Sequence, residues 1–280
     1  MSSDIRQINL NDGHTIPQLG FGVWQVPDDE ATRAVLTAIE AGYRLIDTAQ
    51  GYQNEEGVGR AIKDCGVQRE ELFITTKLRN GAHAFDEALA EFDKSQSKLG
   101  LDYVDLLLIH WPVPRQDKYV DAWKALLKLK EDGRVRSVGV SNFLPEHLER
   151  IVDATGITPV LNQIELHPKY QQRDVRQNHE QRNIRIECYS PLGSGAVLKD
   201  QTISAIADKH GKTVAQVILR WLLDQDLIVI PKSTHAERIR NNIDVFGFSL
   251  GDEDRRQIDA LDDPANGKTG GHPATMNHLF

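Results

Sequence analysis

The chain has 280 residues, 40% of them hydrophobic and 26% charged, with a formal net charge of −8. This composition suits a globular chain that buries a substantial core and excludes a disordered one. The acidic balance excludes a general nucleic-acid or anionic-membrane binder, because either would need a basic face to attract phosphates.

In chain order, residues 5–10 and 14–17 flank Asn11-Asp12-Gly13, a turn that tolerates positive φ, and predict a β-hairpin. Short apolar runs follow at 19–23, 44–47, 72–76, 103–109, 135–140, 160–165, 184–189 and 227–230, giving eight strand candidates. Between them the period turns helical. Ala31, Ala34, Val35, Ala38 and Ile39 share one face before Gly42, and Val120, Trp123, Leu126 and Leu127 share another before Gly133. Val214, Val217, Ile218 and Trp221 repeat the pattern.

Strand-helix alternation implies parallel strands joined by crossovers. About eight such units in this length predict one (β/α)8 barrel domain over residues 1–280, with the hairpin plugging one end. Residues 189–213 exceed a simple connection, and residues 262–280 form a tail containing Gly, Pro and Asn, so extra helices or loops are expected near the C-terminus. Gly57-Val58-Gly59 and Gly193-Ser194-Gly195 each lack the third glycine of a dinucleotide fingerprint, which argues against an open Rossmann sheet.

Cys65 and Cys188 lie far apart without metal-ligand spacing, so neither a disulfide framework nor a zinc site is expected. No His-x-His pair closes a strand, and metal-dependent hydrolysis is disfavoured. His167, His179, His210 and His235 fall in predicted helices or loops, where solvated roles are expected. The first residues lack a basic start followed by an apolar core, and no apolar run approaches the roughly 20 residues of a bilayer span, so a cytoplasmic protein is expected.

In a barrel the chemistry gathers where the strands end. Asp47, Lys77 and His110 close three consecutive predicted strands. Singly, Asp47 could cap a turn, Lys77 could snorkel and His110 could bond a backbone carbonyl. Together, three such groups around one mouth read as a pocket. A buried lysine needs a carboxylate, and Asp47 is on the neighbouring strand. Tyr52, five residues past Asp47, could lean over the pair. An ammonium about 4 Å from a phenol is worth roughly 4 kcal/mol at an effective dielectric of about 20, before desolvation is subtracted. That much would bring Tyr52 toward working pH as a general acid.

The run from Gly42 through Asp47, Tyr52 and Gly57 to Gly59 closely resembles the first signature of the aldo-keto reductases. The segments 106–112, 138–143, 162–165, 189–192 and 230–233 are similar to the family's later segments, in the same order, and the likeness spans nearly the whole chain. Within the family, the bacterial 2,5-diketo-D-gluconate reductases are the group it most resembles.

The resemblance implies NADPH-dependent reduction of a small carbonyl compound by a tetrad of Asp47, Tyr52, Lys77 and His110. Tyr52 would protonate the carbonyl oxygen, His110 would hydrogen-bond it, Lys77 would tune Tyr52 and Asp47 would hold Lys77. For the cofactor it implies Tyr189 against the nicotinamide, Ser141, Asn142 and Gln163 on its carboxamide, and Ser190, Leu192 and Ser194 along the pyrophosphate. Lys232, Ser233 and Arg238 would clamp the 2′-phosphate, with Thr234 and Asn242 beside them. Physically these offer two cations and a hydroxyl next to a helix start. Thr234 to Glu237 also reads as a plain capping box.

Trp24, His110, Trp111 and Arg79 are the expected substrate contacts. Arg79 stands where many relatives carry an aromatic residue, and its cation would favour an anionic keto-sugar such as diketogluconate, with dicarbonyls the other class expected. Gln53, where glycine is usual, and Asn241, where a glutamate is common, are further departures. Two other readings stay open: a Schiff-base aldolase using Lys77 or Lys232, and a regulatory barrel that senses NADPH with little turnover. A monomer acting on a small molecule, without nucleic acid, membrane or metal, is expected.

Overall fold

A computed structural model describes residues 5–280. After the hairpin of β1 (Gln7–Asn9) and β2 (Thr15–Pro17), the strands are β3 (Gly20–Gly22), β4 (Leu45–Asp47), β5 (Phe73–Leu78), β6 (Val104–Ile109), β7 (Val135–Ser141), β8 (Leu161–Glu165), β9 (Arg185–Tyr189) and β10 (Ile228–Val229). β3 to β10 form one parallel sheet in sequence order. Its seam is drawn together by a parallel bridge between Leu19 and Val229, and the Gly22 amide donates to the Pro231 carbonyl at 3.1 Å. A Cβ on Gly20 would stand 2.4 Å from Leu45 Cγ, so glycine is required for this close approach.

The helices are α1 (Asp28–Ala41), α2 (Glu55–Asp64), α3 (Phe85–Leu99), α4 (Tyr119–Glu131), α5 (Pro145–Thr155), α6 (Arg173–Gln181), α7 (Gln201–His210), α8 (Val214–Leu223), α9 (Ala236–Ile243) and α10 (Asp252–Asp259). The arrangement is the (β/α)8 barrel expected. α1 shows why the sequence folds this way. Asp28, Asp29 and Glu30 complement the dipole at its start, Ala31, Ala34, Val35, Ala38 and Ile39 are buried, and Gly42 ends it at φ 112°. The extra helix α7 falls inside the long 189–213 connection, and α10 precedes the tail. In α4 the buried face is turned slightly from the expected one, taking in Ala122, Ala125 and Leu129 while Val120 and Leu127 are only partly covered.

Two hydrophobic cores result. The larger lies between sheet and helices. The smaller fills the lower barrel, where Ile8, Leu10 and Ile16 of the hairpin pack with Leu45, Phe73, Leu106, Leu108 and Leu161. The hairpin is thus the plug the sequence predicts. No helix among the described residues is long and apolar enough to cross a membrane.

Two local expectations are corrected. α9 begins after His235 with no side-chain cap, and Ser233 Oγ accepts the His235 amide at 3.1 Å, so Thr234 and Glu237 form no capping box. A capping box does form between Thr213 and Gln216 at the start of α8. His167 and His179 are fully buried rather than solvated. His179 bridges Val175 O and the Asn162 amide, and His210 pairs with Asp254.

Candidate active site

Strand alternation that points Leu45, Phe73, Leu108 and Leu161 into the lower barrel points Asp47, Lys77, His110 and Gln163 into its upper half, two or four residues further on. Lys77 is fully buried and its Nζ uses all three hydrogens, donating to Asp47 Oδ1 at 2.6 Å, Thr48 O at 2.9 Å and Tyr52 Oη at 3.3 Å. A 3-10 turn, Gln50–Tyr52, carries Tyr52 over the pair and ends at Gln53 with φ 56°. That left-handed conformation is one that glycine adopts most readily. The His110 ring meets Tyr52 edge-on, with centroids 5.5 Å apart.

Electrostatics depart from the expectation in one respect. Burial, the largest influence, pushes the Tyr52 phenol above its ordinary pKa of 10, and Asp47 and Glu187 add to the rise while Lys77 opposes it. Tyr52 is therefore not drawn to neutral pH. It keeps its proton there and accepts a hydrogen bond from the ammonium. Burial also opposes charge on Lys77, but Asp47, Tyr52 and Glu187 outweigh it and hold the ammonium above its ordinary 10.5. His110 is held well below 6.5, first by burial and then by Lys77, and is a neutral imidazole. Its Nδ1 is buried without a partner among the described residues, so a hydrogen there would have no acceptor and the ring proton belongs on Nε2.

Gln163 Nε2 donates to Asp47 Oδ2 at 2.8 Å and to Glu187 Oε2 at 2.7 Å. Ser141 Oγ donates to Gln163 O, Asn142 Nδ2 to His110 O, and Tyr189 Oη to Asn142 Oδ1 at 2.8 Å. These bonds tie β6, β7, β8 and β9 into one rim.

Above the rim opens a cavity of about 920 Å³. Tyr52, His110, Trp24 and Trp111 line one part, and Ser141, Asn142, Gln163 and Tyr189 its floor. Ser190, Leu192 and Ser194 lead to the far end, where Lys232, Ser233, Arg238, Asn241 and Asn242 lie beside the start of α8. Neither Lys232 nor Arg238 is ion-paired among the described residues. Lys77 lies beneath the lining, and of the residues expected to touch cofactor or substrate two are not in it. Thr234 is one. Arg79 is the other, because its guanidinium turns to Glu91 on α3, Nε to Oε2 3.2 Å, where Lys94 also binds.

Sequence reasoning missed the roof. The tail returns across the barrel so that Thr269, Gly270, Gly271, Met276 and Phe280 join the lining. Glu165 anchors it, accepting from the Thr269 amide at 2.6 Å, Thr269 Oγ1 at 2.7 Å and the Gly270 amide at 2.9 Å, with Lys268 Nζ at 3.2 Å. Although burial opposes it, hydrogen bonds from His167 and Thr269 hold this carboxylate down at about 2. Phe280 reaches the His110 ring, centroids 5.2 Å apart. Only the unusual length of the tail hinted at this. Glu187 was missed as well, because a single acidic residue inside an apolar run gives no indication of its partners.

The aldo/keto reductase family model matches residues 18–263, and this chain belongs to that family. It is 50% identical to the methylglyoxal reductase DkgA of Escherichia coli K12 over 258 residues, 91% of this chain and 93% of that protein. A Gox0644 variant solved in complex with NADPH superposes with a TM-score of 0.94 at 50% identity, covering 98% of this chain and 99% of the other. An aldo/keto reductase from Brucella melitensis superposes with a TM-score of 0.91 at 52% identity, covering 94% and 100%.

Proposed function

We propose that this protein uses NADPH to reduce small, uncharged aldehydes, ketones and dicarbonyls of the methylglyoxal kind, with Tyr52 as the general acid. One observation carries the reading: a fully buried ammonium joins Asp47 to the Tyr52 hydroxyl at the floor of an open cavity. A phenol that keeps its proton in the resting site and gains an ammonium partner once it gives that proton up is suited to donate to an oxygen gathering charge.

The residues present fit the cofactor. The cavity, about 920 Å³, is large enough for a nucleotide, its lining carries Lys232 and Arg238 without ionic partners among the described residues beside a helix start, and Tyr189 offers a ring on the floor. When bound, NADPH supplies the hydride. Ser141, Asn142, Gln163 and Tyr189 hold its reactive end, Ser190, Leu192 and Ser194 follow the pyrophosphate, and Lys232, Ser233, Arg238 and Asn242 take the phosphate end. His110, neutral and with its proton on Nε2, orients the carbonyl oxygen toward Tyr52. Trp24, Trp111 and the tail exclude water. Every group used belongs to one chain, so a monomer suffices.

Arg79 no longer supports an anionic keto-sugar. Its charge is matched by Glu91, and the cations that line the cavity sit at the end assigned to phosphate. The Schiff-base alternative through Lys77 loses support too, because Lys77 is held as an ammonium with no hydrogen or lone pair to spare. Initial rates of NADPH oxidation with methylglyoxal, glyceraldehyde and diketogluconate test the proposal. The neutral carbonyls are expected to show the higher kcat/KM. A preference for the anion restores the keto-sugar reading, and binding of NADPH without turnover favours the regulatory barrel.

A further inference from the structure

Glu187 is a buried carboxyl group in contact with the tetrad's layer that the tetrad does not use. On β9 its neighbours Ile186 and Cys188 pack outward into the helix-sheet core, so Glu187 points into the barrel, with no exposed surface. In register it stands between Gln163 on β8 and Ile228 on β10. From β8 it faces the Gln163 amide, from β4 Asp47, from the turn after β4 Tyr52 and from β5 Lys77, while β10 and the residue after it present apolar Ile228 and Ile230.

The layer thus holds two carboxyl groups and one ammonium, each no more than 2% exposed. The three Lys77 hydrogens go to Asp47, Thr48 and Tyr52, and none reaches Glu187. An unpaired buried charge is costly, so one carboxyl must carry a proton, and it is the one without the cation. Gln163 makes the arrangement directional. Both hydrogens of its amide nitrogen are taken, one by Asp47 and one by Glu187, which leaves only its carbonyl oxygen for a ligand.

We propose that Glu187 is a positioning residue of this reaction: an uncharged carboxylic acid that fixes the Gln163 amide and keeps the layer under Tyr52 electrically neutral. The inference rests on the reductase reading above. In agreement, burial first and the Asp47 carboxylate second push Glu187 up to about 8. Above that pH the layer gains a negative charge, which disfavours a phenolate at Tyr52 and slows reduction. A glutamine at this position keeps an acceptor for Gln163 but cannot ionise.

The test is kcat for methylglyoxal reduction at saturating NADPH from about pH 6 to 10, in wild type and Glu187→Gln. The variant-to-wild-type ratio is expected to rise about fivefold or more between about pH 6.5 and 9.5, the effect of removing one like charge near the reacting phenol. A flat ratio overturns the proposal, because a merely structural role would lower both limbs alike. Infrared spectroscopy gives a second readout that does not depend on turnover. In a Glu55→Gln background, which removes another buried carboxyl, a protonated-carboxyl band should persist at neutral pH and vanish as pH passes about 8. Its absence at neutral pH overturns the proposal. If no carbonyl is reduced at any pH the reductase reading fails, while the infrared band, assigned to Glu187 by its loss in Glu187→Gln and overturning the proposal if it persists there, still decides the protonation of Glu187.

Discussion

The lower and upper halves of the barrel are built from the same strands and do opposite things. Below, Leu45, Phe73, Leu106, Leu108 and Leu161 close on the hairpin residues Ile8, Leu10 and Ile16 in a wholly apolar plug. Above, Asp47, Lys77, Gln163 and Glu187 place ionisable and amide groups in equally dry surroundings. A step of two residues along a strand keeps the side chain inside and moves it about 7 Å toward the mouth. That step separates a residue that only fills space from one that must find a partner. The lower half gains stability from apolar area and is indifferent to pH. In the upper half each group is tolerable only through its neighbours, so damage there should spread.

The largest loss of stability should come from breaking the Asp47–Lys77 ion pair of the upper half. Lys77→Met leaves the buried Asp47 carboxylate without its cation and should cost on the order of 3–5 kcal/mol, read from urea denaturation, together with almost all turnover. A loss below about 1 kcal/mol would mean the pair is not buried as described. Leu106→Ala removes a fully buried side chain from the plug and should cost roughly 2–5 kcal/mol through its cavity. The contrast lies in function: the folded fraction of Leu106→Ala should keep the wild-type pH profile of kcat.

Smallest on stability should be Glu165→Gln at the roof. It weakens charge-assisted bonds to Thr269, Gly270 and Lys268 and should cost about 1–2 kcal/mol. Its main readout is a raised KM for substrate and earlier proteolytic cleavage within the tail. An unchanged KM would show that the tail does not shape the pocket.

Much of this was legible in the sequence, for physical reasons that differ by region. Asp47, Lys77 and His110 could be grouped because parallel strands bring their C-terminal ends to one rim whatever the packing details. The hairpin and the stop at Gly42 were readable because local backbone conformation sets them. What escaped depends on contacts distant in the chain. Arg79 is decided by Glu91, one helix further on, and the tail's path by Glu165, more than a hundred residues before it. The Tyr52 acidity was misjudged because the attraction of a neighbouring charge can be written down from sequence, whereas the depth of burial that opposes it cannot. His167 and His179 were misplaced for the same reason: a polar ring inside the core is inexpensive once it is hydrogen-bonded.

The central claim is that Tyr52 gives the carbonyl oxygen its proton. Tyr52→Phe removes one hydroxyl and leaves the ring against His110, so kcat for methylglyoxal reduction should fall by roughly 10²–10⁴. NADPH affinity, read by fluorescence quenching, should stay close to that of the wild type. A variant that kept most of its kcat would contradict the assignment and would require the proton to come from another group.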